Sequence, residues 1–193
     1  MIRTTALLAL AAAATSSLAQ VAITIDIDQP VLLPGESTTV TLFAGIDPSD
    51  YAVAGVETNL LTSVGSDGWS AASVLAPMDG PGTSDGVPVA TGYNGILAGQ
   101  LHFPAGASIY ANDTNPIAFW QATYTAPADV STPFIVDIST LTRRYDVYFD
   151  RGSSASETRL DVLVEGAGTI TVIPAPASAV VLALGAACVR RRR

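Results

Sequence analysis

The stretch Val21-Ala22-Ile23-Thr24-Ile25-Asp26-Ile27-Asp28 decides how this chain folds. Ile23, Ile25 and Ile27 alternate with Thr24, Asp26 and Asp28, a period of two that puts the isoleucines on one face of a strand and the polar groups on the other. A β-branched run of this kind fits a pleated surface with one side buried. Pro34-Gly35 then supplies a turn, and residues 37–44 alternate again, with Thr39 and Thr41 opposite Val40 and Leu42.

Further strands are expected at 53–62, 69–75, 96–103, 117–125, 134–139, 144–149, 159–164 and 169–173. Gly, Pro, Asp and Ser punctuate nearly every gap between them. No stretch of the body keeps apolar residues at i, i+3 and i+4 over three helical turns. About ten short strands joined by such turns predict an all-β fold, an antiparallel β-sandwich. The interval 76–94 contains Asp79-Gly80-Pro81-Gly82-Thr83-Ser84-Asp85-Gly86 and reads as a long surface loop, too rich in glycine and proline for a core strand.

Both ends carry different signals. In residues 1–19, Arg3 precedes the apolar run 6–14, and Ser17-Leu18-Ala19 places small residues where a signal peptidase reads, which predicts a signal helix cut between Ala19 and Gln20. An uncleaved helical anchor is the competing reading. Residues 172–193 form the other end. Ile173-Pro174-Ala175-Pro176 breaks regular structure, because proline cannot donate a backbone hydrogen bond and turns the preceding residue away from helix. Residues 177–189 carry no charge, and Arg190, Arg191, Arg192 and Arg193 close the chain. The apolar segment is shorter than the roughly 20 residues of a full helical span. Four consecutive cations cannot enter a core, however, and arginines beyond an apolar segment hold that end in the cytoplasm. A short C-terminal hydrophobic helix in transient contact with a membrane is expected. A simple tail anchor is the alternative.

This order of proline break, apolar segment and arginine cluster resembles the PEP-CTERM sorting tail of exported bacterial proteins. The resemblance implies recognition by an exosortase-like membrane peptidase, with Ile173 to Pro176 and the four terminal arginines as the sorting motif. It departs from the family pattern at Ala175, which stands where the namesake glutamate would be. Three parts are therefore expected: a signal peptide at 1–19, a β-sandwich at 20–171 and a sorting tail at 172–193. An exported protein of the cell envelope or extracellular matrix follows from that organisation.

Composition narrows the body's partners. All 17 acids lie in it against Arg143, Arg144, Arg151 and Arg159, a formal charge of −13, and lysine is absent from the whole chain. Such a surface repels nucleic acid and anionic lipid. Solubility of a secreted domain explains the acidity; cation binding or a saline habitat would also do so. Cys188, the single cysteine, sits in the tail, so the body has neither disulfide nor thiol chemistry.

Catalysis finds little footing. His102 is the one histidine, on an expected strand, and no Gly-x-Ser-x-Gly turn offers a nucleophile. One histidine and a tail cysteine cannot supply a zinc site. Calcium needs only oxygens, and Asp26 with Asp28, Asp67 beside Gly68, and Asp79 to Gly86 are the carboxylates from which a structural calcium could be built. No calcium loop of the Asp-x-Asp-x-Asp-Gly form occurs. Facing carboxylates for a glycosidase have no specific signature among so many acids. The aromatic candidates for sugar stacking are Trp69, Tyr93, Tyr110, Trp120, Tyr145 and Tyr148. Trp120, inside Ile117-Ala118-Phe119-Trp120, is expected in the core, and Trp69, after Asp67-Gly68, is the candidate exposed ligand-binding residue.

Leu33-Pro34-Gly35-Glu36-Ser37 leading into Val40, Ala118-Phe119, and the late strand Asp146-Val147-Tyr148-Phe149-Asp150 give the body a resemblance to cohesin-like or carbohydrate-binding jelly-roll sandwiches. The resemblance implies the fold and carries over no binding residue. The expected function is that of a non-catalytic exported protein, with a carbohydrate- or matrix-binding module as the alternative. Its expected partners are signal peptidase, an exosortase-like peptidase and extracellular polysaccharide.

Overall fold

The computed structural model describes residues 21–100, 115–149 and 156–175. Among them are eleven strands, β1 (Ala22–Ile27), β2 (Val31–Leu32), β3 (Ser37–Gly45), β4 (Ala52–Thr62), β5 (Trp69–Val74), β6 (Ser84–Val89), β7 (Gly92–Gly99), β8 (Ile117–Thr125), β9 (Phe134–Tyr148), β10 (Ser156–Thr158) and β11 (Ala167–Val172). They make two packed sheets. One has the order β1-β3-β8-β5; the other runs β2-β11-β9-β4-β7-β6, with β10 added alongside β9.

The alternation that opens the chain does what its pattern dictates. β1 pairs antiparallel with β3, Ile25 opposite Leu42 and Ile27 opposite Val40. Val40, Leu42, Phe119, Trp120 and Tyr124 from the smaller sheet meet Val56, Leu60, Ile96, Val136 and Tyr145 from the larger one, all nearly inaccessible. Burying side chains of this size is worth roughly 1.5–3 kcal/mol apiece. Burial also pushes the Tyr145 hydroxyl far above the usual tyrosine range, with the neighbouring Asp50 charge adding to the shift. That hydroxyl donates to the Gly45 carbonyl at 2.9 Å, so the sheets are tied as well as packed.

Both seams between the sheets are closed. On one side the Val74 amide donates to Asp85 Oδ1 at 2.7 Å and Trp120 Nε1 donates to the Asp85 carbonyl at 2.9 Å, joining β5 and β8 to β6. On the other, the Ile23 amide donates to Val164 O at 2.9 Å and the Val164 amide to Val21 O at 3.0 Å. The edge amides of Val74 and Ile23 are thereby occupied.

The structure corrects the sequence reading in four places. The pairing is not wholly antiparallel, since β2 runs parallel to β11 through Thr171–Val31 and Val172–Leu32. The expected loop 76–94 contains β6 and the start of β7, which begins at Gly92 where the pattern predicts 96. Gly86 and Pro88 are tolerated because β6 is an edge strand, where a positive φ and a missing donor break no second ladder. The strands expected at 134–139 and 144–149 are one strand, β9. The strand expected at 159–164 is a short 3-10 helix, Leu160–Val162, with its apolar side chains exposed or half-exposed. The signal helix, the C-terminal helix and residues 101–103 lie outside the described residues. Among those described, no helix is long and apolar enough to cross a membrane.

Candidate functional site

The two outer faces of the sandwich differ. On the smaller sheet, neighbouring strands pair Ser37 with Thr125, Thr39 with Thr123 and Thr41 with Gln121, a hydroxylated and amide-bearing surface. On the larger sheet Val31, Ile135 and Leu141 are 47 %, 57 % and 51 % exposed. Val31 and Ile135 flank Thr171 on one cross-strand rung.

At one end of that larger face lies a groove of about 220 Å³. Two bulges make it. The extra residue at Ala54 lets Gly55 stand opposite both Gly99 of β7 and Asp146 of β9. A second irregularity, between Glu57 and Thr58, absorbs Arg143 and brings Arg144, Asp146 and Tyr148 to the outer face that Ile135 and Leu141 occupy further along β9. The result is a rung Gly99–Gly55–Asp146–Thr158 beside a rung Leu97–Glu57–Arg144. The Pro81-Gly82-Thr83 turn forms the opposite wall.

The glycines keep the floor low. A methyl group on Gly55 would meet the Ala98 carbonyl at 3.5 Å, and one on Gly99 the Ala54 carbonyl at 3.5 Å, both ordinary contacts. Crowding therefore does not impose glycine at either position; what a side chain would occupy is the groove itself. Asp146 is almost fully buried, accepts from Thr158 Oγ1 at 2.7 Å and is paired with the guanidinium of Arg144, whose side chain is 61 % exposed. The buried carboxylate fixes the root of an arginine that still reaches solvent, a pre-oriented donor of the kind that recognises carbonyl and carboxylate oxygens. Gln100 at the far end donates through Nε2 to the Val53 carbonyl at 2.9 Å. Asp146, the carboxylate opposite the glycine floor, is committed to structural partners, so the groove offers shape, hydrogen bonds and apolar contact.

The residues singled out from sequence fall elsewhere. Trp69 is buried, 8 % exposed, with its ring tilted on Tyr124 at 5.3 Å between centroids, and its Nε1 has no hydrogen-bond partner. The Gly68 turn explains why it is not the exposed residue expected. At φ +78° it delivers Trp69 directly into pairing with Tyr124, so the indole turns inward. Trp120 lies in the core as expected, edge-on to Tyr93 at 5.4 Å. Tyr93, Tyr145 and Tyr148 are buried too. Ile173 is 37 % exposed at the end of β11, its amide donating to Leu32 O at 2.9 Å, and Pro174 and Ala175 follow it. Ala19, Gln20, His102, Tyr110, Pro176, Cys188 and Arg190 to Arg193 lie outside the described residues. Among the described residues no three His, Cys, Asp or Glu side chains are grouped to hold a metal, so Asp26, Asp28, Asp67, Asp79 and Asp85 belong to no such cluster. The groove escapes a sequence reading because it is written in glycines on two strands. The one sequence signal for it is the Arg144–Asp146 spacing on a strand, which puts both side chains on the same face.

A cohesin module of a family 33 glycoside hydrolase from Clostridium perfringens superposes with a TM-score of 0.52 at 11 % identity, covering 81 % of this chain and 99 % of that module. The body is a cohesin-like β-sandwich. The seventh type I cohesin of ScaB from Pseudobacteroides cellulosolvens gives 0.51 at 12 % identity, over 80 % of this chain and 94 % of that one. At such identities the likeness shows the fold of the cohesin-like body and nothing of its ligands. No family model matches the chain. No curated protein matches it either.

Proposed function

We propose that this is an exported, non-catalytic protein of the cell envelope or extracellular matrix, sorted through residues 172–193, whose cohesin-like sandwich holds a protein partner in the Gly55–Gly99 groove. The observation that carries the binding role is the rung of Gly99, Gly55 and Asp146 under a pre-oriented Arg144, set at the end of a sheet face bearing exposed Ile135 and Leu141. A polypeptide suits it better than a glycan. Sugar platforms are exposed aromatic faces, and both tryptophans are inside the sandwich. The likeness to cohesin modules supports a binding module in preference to an enzyme. The signal-peptide pattern ending at Ala19 and Gln20 supports handling by signal peptidase, and the proline–apolar–arginine tail supports an exosortase-like peptidase.

Gly55→Val tests the groove. The added methyls rest on a strand that accepts β-branched residues and fill the floor, so the urea midpoint stays close to that of the parent. Partner capture, measured by cross-linking from Thr83 in cells that export the protein, falls at least about tenfold, equivalent to about 1.4 kcal/mol. Unchanged capture by Gly55→Val would show that the groove is not the binding surface.

A further inference from the structure

Asn94-Gly95 is the single Asn-Gly step of the chain, and it lies inside a strand. Thr58 of β4 pairs with Ile96 of β7 and Leu60 with Tyr93, so Asn94 and Gly95 together stand opposite one residue, Asn59. This is a bulge with its glycine at φ +70°, a conformation that side chains rarely adopt. Asn59, only 7 % exposed, closes it: its Oδ1 accepts from the Gly95 amide at 2.9 Å. Asn94 itself is exposed, on the rung it shares with Val87 of the edge strand β6.

An exposed asparagine followed by glycine has a reaction open to it. The Gly95 nitrogen, once base has taken its proton, attacks the carboxamide carbon of the Asn94 side chain. A C–N bond closes a five-membered succinimide, and the carboxamide nitrogen leaves as ammonia, taking its proton from water. Water then adds at one of the two ring carbonyls and opens the ring to an aspartate or an isoaspartate. Glycine favours closure because no Cβ shields its nitrogen.

Asn59 opposes the first step in two ways. A hydrogen bond from the neutral amide disfavours loss of its proton, because the resulting anion would face the lone pairs of Oδ1. The same bond holds the peptide plane in the bulge, whereas ring closure needs the nitrogen to turn its face toward the Asn94 side chain. We propose that Asn94 is a site of spontaneous deamidation and that Asn59 is the guard that keeps it closed in the folded chain. The guarded step bears on the fold. An isoaspartate routes the main chain through the former side chain and adds one methylene to β7. The rung with Val87 would then be lost and Ile96, fully buried and paired with Thr58, thrown out of register, with Gly99 of the groove floor beyond it.

The test is ageing of the purified protein in mildly alkaline buffer, after circular dichroism has established that each variant is folded. Acid at position 94 is counted by peptide mass mapping and isoaspartate by enzymatic methylation. Asp67, Asp79 and Asp85 also precede glycines, but an aspartate that closes and reopens returns to its starting mass. Folded wild type is expected to deamidate at Asn94 at least about tenfold more slowly than in urea, the effect of one unit in the acidity of the amide. Asn59→Leu, similar in size but without an acceptor, should raise the folded rate by at least about tenfold on the same scale. Asn59→Asp, which keeps an oxygen before the Gly95 amide, should stay as slow as wild type. If Asn59→Leu does not fold, hydrogen exchange in the wild type decides, since exchange and ring closure both begin with base removing the Gly95 proton. Slow exchange alongside slow deamidation supports the guard; exchange as free as in an unfolded peptide overturns it. Equal rates for folded and unfolded wild type, or a folded Asn59→Leu as slow as wild type, also overturn the guard. No deamidation even in urea overturns the site.

Discussion

Trp120→Ala is expected to remove about 3–5 kcal/mol of folding stability, the usual cost of truncating a large core aromatic. Against a total of roughly 5–15 kcal/mol for a domain, that leaves a protein largely unfolded at modest urea. Trp120 does two jobs at once. Its ring, fully buried, packs edge-on to Tyr93. Its Nε1 holds the Asp85 carbonyl of β6 at 2.9 Å, while the Asp85 carboxylate takes the Val74 amide of β5. Alanine would therefore leave a cavity and also orphan a carbonyl at the seam between the sheets. Trp120→Phe keeps most of the packing and loses the donor, so its cost should be clearly smaller. Urea unfolding followed by circular dichroism measures both, and a loss below about 1 kcal/mol for the alanine variant would contradict the seam described here.

Gly92→Ala is the second large effect. Gly92 opens β7 at φ +126°, a conformation that side chains rarely adopt, and an added methyl would collide with the Leu60 carbonyl oxygen and stand 3.0 Å from its carbon. Those are backbone atoms of β4 in the register that pairs Leu61 with Gly92, so nothing flexible can move aside. The β6–β7 hairpin must shift against the sheet. Such strain, added to the clash, should cost on the order of 3 kcal/mol or more. Gly95 is the internal control: its φ is +70°, but a methyl group on its Cα would find no atom within 4 Å. Gly95→Ala should cost only about 1–2 kcal/mol, the backbone penalty alone. Equal losses for the two variants, in the same urea titration, would mean that crowding at Gly92 plays no part.

Neither glycine's role is visible in sequence, whereas other parts of the sandwich are. β1 and β3 are legible because each alternates and buries one face, so the period-two pattern is the packing itself; β8 is legible as an apolar run although a bulge buries both Phe119 and Trp120. β6 is not, because an edge strand tolerates Gly86 and Pro88, residues that would disqualify a central one. β9 reads as two strands because Arg143 and Arg144 interrupt its apolar pattern. A bulge absorbs the extra residue and turns Arg144, Asp146 and Tyr148 outward without ending the strand. Trp69 reads as exposed because Asp67-Gly68 is a turn, and turns usually lead to surfaces; the direction in which an indole leaves a turn is a tertiary fact. The groove depends on Gly55 and Gly99 becoming neighbours, and the hydrogen bond at Gly95 on Asn59 of β4 standing opposite it. Neither juxtaposition has a local pattern to announce it. The cohesin-like body was approachable from sequence, whereas its candidate surfaces were not.

The sorting claim is tested most directly by fusing residues 172–193 to an exported reporter and locating it by cell fractionation. The reporter is expected in the envelope fraction, and a second version with Arg190, Arg191, Arg192 and Arg193 replaced by serine should be lost from it. Identical distributions for the two versions, or retention of the first in the cytosol, would contradict the account.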